Sequence, residues 1–169
     1  MSVSSMLELR ARVWDPAASS LAGVEKRTLR GHSERVNCCA FSPDGKSLVS
    51  GAGKPAWEGV SSDNTLKIWD AGTGACNYTL RGHTSAVVCC AFSPDGKSVL
   101  SGSCDYTLKI WSASDGSERY TLSGHSSYVN ACCFSPDGGS VLSGSATLKI
   151  WDAATGARLR SAFRPRLIS

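Results

Sequence analysis

The chain has 169 residues, of which 41% are hydrophobic and 19% are charged. That balance is typical of one folded domain with its own core and excludes a disordered or highly charged chain. The formal net charge of +4 is modest, and the longest apolar run, 86–92, is far shorter than the roughly 20 residues that cross a bilayer as a helix.

The N-terminal segment predicts a strand that belongs to an earlier, partial copy of a repeated unit. The sequence RVWDP at 12–16 matches KIWDA at 67–71, so we expect a strand there that belongs to the same kind of unit as the later one. The first twelve residues, MSVSSMLELRAR, contain no apolar h-region. We therefore expect no secretory signal and an intracellular protein, cytoplasmic or nuclear.

One segment then occurs three times. The copies begin at Thr28, Thr79 and Thr121, and each runs into TLKIW. The histidines of the second and third copies, His83 and His125, are 42 residues apart, within the period of about 40–45 residues of four-stranded propeller blades. A fixed period predicts one supersecondary unit whose copies stack and bury each other's apolar faces.

Each copy predicts four short strands. The first, VNCCAF in copy one, is nearly all apolar and predicts an inner strand buried on both faces. Ser42-Pro43-Asp44-Gly45 predicts a tight hairpin turn, because proline presets φ and glycine accepts a positive φ. SLVSG and TLKIW predict the second and third strands, and the segment around 78–80 predicts the fourth.

The repeat resembles the WD40 family. The resemblance rests on the pairs Gly-His at 31–32, 82–83 and 124–125 and on Trp-Asp, Trp-Ser and Trp-Asp at 69–70, 111–112 and 151–152. It implies an all-β chain of four-stranded antiparallel β-propeller blades, about three and a half in number, and a noncatalytic scaffold that binds proteins. The expected divisions of this single region, 1–169, are a half blade at 7–27, blade one at 28–78 with an insertion at 52–60, blade two at 79–120, blade three at 121–163 and a basic tail at 164–169.

The resemblance also implies a hydrogen-bond relay inside each blade, from Trp through Ser and His to Asp. By position, the relay residues are His32, Ser50, Asp63 and Trp69 in blade one, His83, Ser101, Asp105 and Trp111 in blade two, and His125, Ser143 and Trp151 in blade three. Blade three is two residues shorter before TLKIW and lacks the aspartate, so we expect His125 to be less firmly held. Ser, His and Asp also form hydrolytic triads, but recurrence of the set in every blade favours a structural task, and we expect no enzyme.

Six of the eight cysteines form three adjacent pairs on the first strands, at 38–39, 89–90 and 132–133. Neighbours on a strand point to opposite faces, so they do not readily pair with each other. We expect small buried thiols in a reducing compartment, and neither a metal nor a cofactor, because the CC spacing is not that of a zinc site.

The arginines near the two ends lack interleaved aromatic residues, which makes nucleic acid an unfavoured partner and a solvated basic fringe the favoured interpretation.

Departures from the repeat predict the binding surface, because insertions in repeat proteins map to loops on one face. The insertion AGKPAWEGV at 52–60 carries an aromatic residue beside charges, although a tolerated surface insertion is an equally plain interpretation. Together with positions used for contacts in the family, the candidates for partner binding are Arg35, Asn37, Trp57, Glu58, Ser62, Cys104, Tyr128 and Asn130.

Three and a half blades are fewer than the roughly 4–8 of a closed propeller. The expected ring is incomplete and exposes apolar flanks, which favours self-association or association with a second propeller fragment. The alternatives to a scaffold are a regulatory or targeting domain of an enzyme complex and a truncated structural remnant without binding function.

Overall fold

The computed structural model describes residues 11–14 and 25–159. The first sheet is a two-stranded antiparallel ribbon of β1 (Ala11–Trp14) and β2 (Glu25–Leu29), with Arg12 opposite Thr28. It corresponds to the third and fourth strands of a repeat. The expected remainder of this half blade, at 7–10 and 15–24, and the expected C-terminal segments at 160–163 and 164–169 lie outside the described residues.

Blade one is a four-stranded antiparallel meander. Its strands are β3 (Val36–Phe41), β4 (Ser47–Ala52), β5 (Leu66–Asp70) and β6 (Cys76–Leu80), hydrogen-bonded in that order. Blade two repeats the order with β7 (Val87–Phe92), β8 (Ser98–Ser103), β9 (Leu108–Ser112) and β10 (Glu118–Leu122). The prediction of antiparallel four-stranded units is confirmed.

Blade three contains three named strands, β11 (Ala131–Phe134), β12 (Ser140–Gly144) and β13 (Leu148–Asp152). A bridge between Trp151 and Arg158 begins the fourth-strand pairing at the edge of β13. The described residues therefore form a two-stranded ribbon followed by three blades in sequence order.

The hairpin between the first two strands of each blade is locked by side chains. In blade one, Ser42 Oγ donates to Asp44 Oδ1 at 2.6 Å, and the same carboxylate oxygen accepts the Lys46 N–H at 3.0 Å. Gly45 follows with φ +70°, a conformation that costs a side-chain-bearing residue more than glycine. These turns lie at the end of each blade that we call the bottom; the insertion and the Gly-His turns lie at the other end, the top.

The core is a series of blade junctions. Between blades one and two, Val49, Leu66 and Ile68 of blade one pack with Val87, Val99 and Trp111 of blade two. Between blades two and three, the equivalent residues meet in the same arrangement: Leu100, Leu108, Ile110, Val129, Val141 and Trp151. At each junction, we call the face of the earlier blade its trailing face, which in blade one contains Val49, Leu66 and Ile68. We call the face of the following blade its leading face, which in blade two contains Val87, Val99 and Trp111.

Two expectations about burial are wrong. The first strand of blade one is not buried on both faces, since Cys39 and Phe41 are exposed. Cys133 is exposed as well as Cys39, so only part of the six paired cysteines behaves as small buried hydrophobes. In blade one the reason is local: the leading face meets a ribbon described as two strands, β1 and β2, and Leu29 of β2 packs on Leu48 and Trp69, away from the inner strand β3. Cys133 lies on β11 of blade three, which no described blade follows.

The trailing face of blade three is uncovered. Leu142, Leu148 and Ile150 are 38%, 74% and 49% exposed, whereas their counterparts in blade two are Leu100, Leu108 and Ile110, at 0%, 0% and 1%. The difference follows from the blade order, because blade three covers blade two and no described residue covers blade three.

Candidate functional site

A four-residue relay ties the strands of blade two together. The Trp111 indole N–H donates to Ser101 Oγ at 2.8 Å, and this oxygen lies 2.8 Å from His83 Nε2. His83 Nδ1 lies 2.7 Å from Asp105 Oδ2. With the Nδ1 proton directed to the carboxylate, Nε2 accepts the serine proton, and each donor in the relay has an acceptor.

Blade one contains the same relay. Trp69 Nε1, Ser50 Oγ and His32 Nε2 are joined by two distances of 2.8 Å, and His32 Nδ1 lies 2.8 Å from Asp63 Oδ2. Burial opposes ionisation of Asp63, but hydrogen bonds from His32 and Thr65 outweigh it and hold the pKa of this carboxyl well below its usual range. The pKa of Asp105 is likewise held low, by His83 and Thr107 against the effect of burial.

Blade three retains only the first part of the relay. Trp151 Nε1 donates to Ser143 Oγ at 2.8 Å, and His125 Nε2 lies 2.7 Å from the same oxygen. The Asp of the first two blades has no counterpart in the sequence, and within 25–159 no carboxylate reaches His125 Nδ1. Burial, with lesser contributions from Lys149 and Arg158, lowers the pKa of His125 because the charged imidazolium is disfavoured.

The relay serines are unsuited to nucleophilic attack. Ser50, Ser101 and Ser143 are 2%, 0% and 0% exposed, and each oxygen lies between an indole and an imidazole. A nucleophile needs an approach for the substrate and donors for the developing oxyanion. The geometry thus favours cross-linking of strands as the task of these residues.

Three aromatic side chains from three blades meet at the top. The insertion of blade one forms a short 3-10 helix, Ala56–Glu58, which places Trp57 4.9 Å from Tyr128 of blade three between ring centroids. Tyr106 of blade two lies 5.4 Å from Tyr128 on its other side. We call Trp57, Tyr106 and Tyr128 the aromatic ledge; Trp57 is 62% and Tyr106 43% exposed.

Charged groups border the ledge. Arg35 donates to Glu58 Oε1 at 2.9 Å, and both side chains are solvent-accessible. Lys54 lies 3.4 Å from Glu34, whose carboxylate also accepts the Ser62 hydroxyl at 3.0 Å. The partly exposed rings of the ledge are thus accompanied by ion-paired side chains of both signs.

The structure places three other predicted contact residues outside the ledge. Asn37 is held at the junction of blades one and two, where its amide donates to the carbonyls of Gly53 at 2.8 Å and Val87 at 3.0 Å. Cys104 is buried, and Asn130 is exposed at the start of the third inner strand. Arg35, Trp57, Glu58 and Tyr128 come together with Tyr106, which the sequence reasoning missed. The sequence feature that could have indicated Tyr106 is its position directly after Asp105, the relay aspartate of blade two.

Across residues 11–14 and 25–159, no group of three or more His, Cys, Asp or Glu side chains has a metal-binding arrangement. In the same part of the chain, no helix is both long and apolar enough to span a membrane.

Successive four-stranded antiparallel blades, each with an internal Trp–Ser–His relay, define a repeat protein of the β-propeller class. The family model described as "WD domain, G-beta repeat" matches residues 23–70, 74–112 and 116–152. The chain belongs to the WD40 family.

Similar proteins span a range of named roles. Nuclear distribution protein PAC1 of Arthroderma benhamiae is 40% identical over 94 residues, which are 56% of this chain and 20% of that protein. Ribosome assembly protein 4 of Saccharomyces cerevisiae is 39% identical over 72 residues, 42% of this chain and 12% of that protein. The RRP9 WD40-repeat crystal structure has a TM-score of 0.70 at 27% identity, covering 79% of this chain and 40% of its own. The chain thus spans about a fifth or less of the length of these two curated relatives.

Proposed function

We propose that this protein is a noncatalytic scaffold whose top face binds other proteins through the aromatic ledge. The observation that carries the proposal is the convergence of Trp57, Tyr106 and Tyr128 from three blades, with Trp57 and Tyr106 largely exposed. Trp and Tyr are the residues most enriched at energetically dominant interface positions. A rim of Arg35, Glu58 and Lys54 surrounds them and adds orientation through charge.

The absence of catalysis is part of this proposal. The serine and histidine of each relay, together with the aspartate in blades one and two, are engaged with each other below the surface, and the ledge offers rings and ion-paired side chains in place of a free nucleophile and base. We also place the protein inside the cell, in keeping with relatives named for nuclear distribution and ribosome assembly.

The test is quantitative enrichment of bound proteins from cells that express the tagged chain. The compared variants are Trp57→Ala, Tyr128→Ala and Lys46→Ala; Lys46 is exposed on the bottom hairpin and serves as the matched control. The recovered amount of each protein that binds the ledge should fall at least about tenfold with either aromatic variant and stay unchanged with the control. Truncation of an aromatic residue at a dominant interface position typically costs about 2 kcal/mol or more of binding free energy. Equal recovery with all three variants would contradict the proposal.

A second candidate function is association along the flank of blade three. Leu142, Leu148 and Ile150 form an exposed apolar surface at the positions that, in blade two, are covered by the next blade. A further blade, from a second copy of this chain or from another propeller fragment, would bury them in the same way. Its test is the matched substitution at Ile110 and Ile150 described in the Discussion.

A further inference from the structure

The adjacent cysteines of the inner strands are divided between the two blade junctions. Cys38 lies on the trailing side of blade one and packs in the same cluster as Cys90, which lies on the leading side of blade two. Cys89 lies on the trailing side of blade two and packs with Cys132 on the leading side of blade three. Each junction therefore contains one thiol from each of its two blades.

Glycines on the second strands show how close the trailing sulfurs come to the next blade. A Cβ at Gly51 would lie 2.7 Å from Cys38 Sγ and 2.6 Å from Val87 Cγ1. A Cβ at Gly102 would lie 2.5 Å from Cys89 Sγ and 2.8 Å from Val129 Cγ1. Both sulfurs thus occupy space that only glycine leaves, directly beside the inner strand of the following blade.

The thiols of each junction also influence each other. Cys38 raises the pKa of Cys90 across the first junction, and Cys89 raises the pKa of Cys132 across the second. Cys89 Sγ reaches the next blade directly, since it donates to the Val129 carbonyl at 3.8 Å. The neighbours Cys89 and Cys90 of blade two, by contrast, point to opposite faces and lie at different junctions.

We propose that Cys38 with Cys90, and Cys89 with Cys132, are sites of oxidative cross-linking between blades, with a peroxide as the oxidant. Hydrogen peroxide transfers one oxygen to a sulfur, giving a sulfenic acid and water; the partner sulfur attacks it, the S–S bond forms and the S–O bond breaks, releasing a second water. Each cross-link consumes one peroxide and two thiol hydrogens, and it covalently joins the inner strands of two neighbouring blades.

The surroundings make these thiols slow to react. Interaction with Cys38, together with burial, raises the pKa of Cys90, and interaction with Cys89, together with burial, raises the pKa of Cys132. Since the thiolate is the reacting form, the reduced pairs are protected near neutral pH and react faster in mild alkali. Exposed Cys76, which lies on β6 away from both junctions, provides an internal comparison.

The experiment is peroxide treatment of the whole folded chain, followed by blocking of free thiols, digestion without reductant and mass spectrometry. The chain carries Cys39→Ser and Cys133→Ser to remove the exposed neighbours, and Cys76 reports that the oxidant is active. The expected products are the 38–90 and 89–132 cross-links. Dominant 38–39, 89–90, 38–89 or 90–132 links, or four free thiols after Cys76 has been oxidised, would overturn the proposal.

Two single substitutions make the assignment independent of peptide fragmentation. Cys90→Ala should lose the link to Cys38 and retain the link between Cys89 and Cys132. Cys89→Ala should do the reverse, losing the link to Cys132 and retaining the link between Cys38 and Cys90. If each variant instead lost the link that it is expected to retain, the thiols would have other partners than those proposed, and the proposed geometry would be contradicted.

Discussion

The indole of Trp111 and the hydroxyl of Ser101 are joined by a 2.8 Å hydrogen bond between the third and second strands of blade two. Both residues are almost completely buried, at 1% and 0% exposure. The indole N–H can only donate a hydrogen bond, and the serine oxygen accepts it. With His83 Nε2 unprotonated, the serine hydroxyl in turn donates to that nitrogen. The bond therefore holds the leading face of the blade in the position that packs against blade one.

Substitution of Trp111 separates the packing of the ring from its hydrogen bond. Trp111→Ala should lower the free energy of unfolding by about 3–5 kcal/mol, because a large buried ring is lost and Ser101 loses the indole N–H that donates to it. Trp111→Phe keeps most of the ring and loses the donor, so its cost should be smaller, on the order of 2 kcal/mol. Urea denaturation measures both, and equal costs for the two variants would show that the loss of the indole N–H, which both share, accounts for the whole effect and that the packing of the ring contributes nothing.

The uncovered flank of blade three provides a matched pair of positions. Ile110→Ala should cost about 2–5 kcal/mol because Ile110 is buried at a junction, whereas Ile150→Ala should cost less than about 1 kcal/mol because Ile150 is 49% exposed.

The charged variants of the same pair test association. Ile150→Lys should leave the chain folded and reduce its self-association or its association with another propeller fragment, as measured by light scattering of the purified protein. Ile110→Lys should unfold it. An unchanged association state in Ile150→Lys would contradict the second candidate function.

Mild acid should weaken blade three. The pKa of His125 is lowered from the ordinary 6.5, so the folded chain binds fewer protons at this site than the unfolded chain as the pH falls through 6.5. The contribution to stability is therefore present above that pH and is lost below it. We expect His125→Gln to reduce the loss of stability between pH 7.5 and pH 5.5, measured by urea denaturation at each pH; an identical loss in both proteins would contradict this assignment.

Stronger acid should act through the aspartates of the first two relays. Their pKa values are held below the ordinary 3.8, so their stabilisation is complete at neutral pH and is lost as the pH falls below that range. At pH 7, Asp105→Asn should cost about 2 kcal/mol, since the carboxylate accepts charge-assisted hydrogen bonds from His83 and Thr107.

The free-energy cost of Asp105→Asn should be smaller at pH 3, because the ionised carboxylate of the wild-type protein begins to lose its stabilising contribution there. Glu58→Gln on the exposed rim is the control and should change stability by less than about 0.5 kcal/mol at either pH. A cost for Asp105→Asn that is the same at pH 7 and pH 3 would mean that the carboxylate charge is unimportant in the relay.

Much of the fold could be predicted because the sequence repeats. Three copies of the same turn and strand pattern place four strands in each blade, and comparison of the copies assigns each relay residue without any knowledge of its neighbours in space. The missing aspartate of blade three could be predicted in the same way, from a shortening of two residues before TLKIW.

The ledge could be predicted only in part, because it depends on contacts between blades. Trp57 lies in an insertion without a counterpart in the other copies, so no repeat position indicates that its ring meets Tyr128. Asn37 has the polar character of a surface residue, but two carbonyls at the junction use its amide. The exposure of Phe41 likewise reflects the ribbon that precedes blade one and not the apolar character of the strand.

The most direct test of the scaffold account is a calorimetric titration of the purified chain with a partner recovered through the ledge. Trp57→Ala and Tyr128→Ala should each raise Kd at least about tenfold, while Lys46→Ala should leave it unchanged, with all four proteins equally folded by circular dichroism. Wild-type affinity in both aromatic variants, or a loss confined to Lys46→Ala, would show that binding occurs elsewhere and contradict the account.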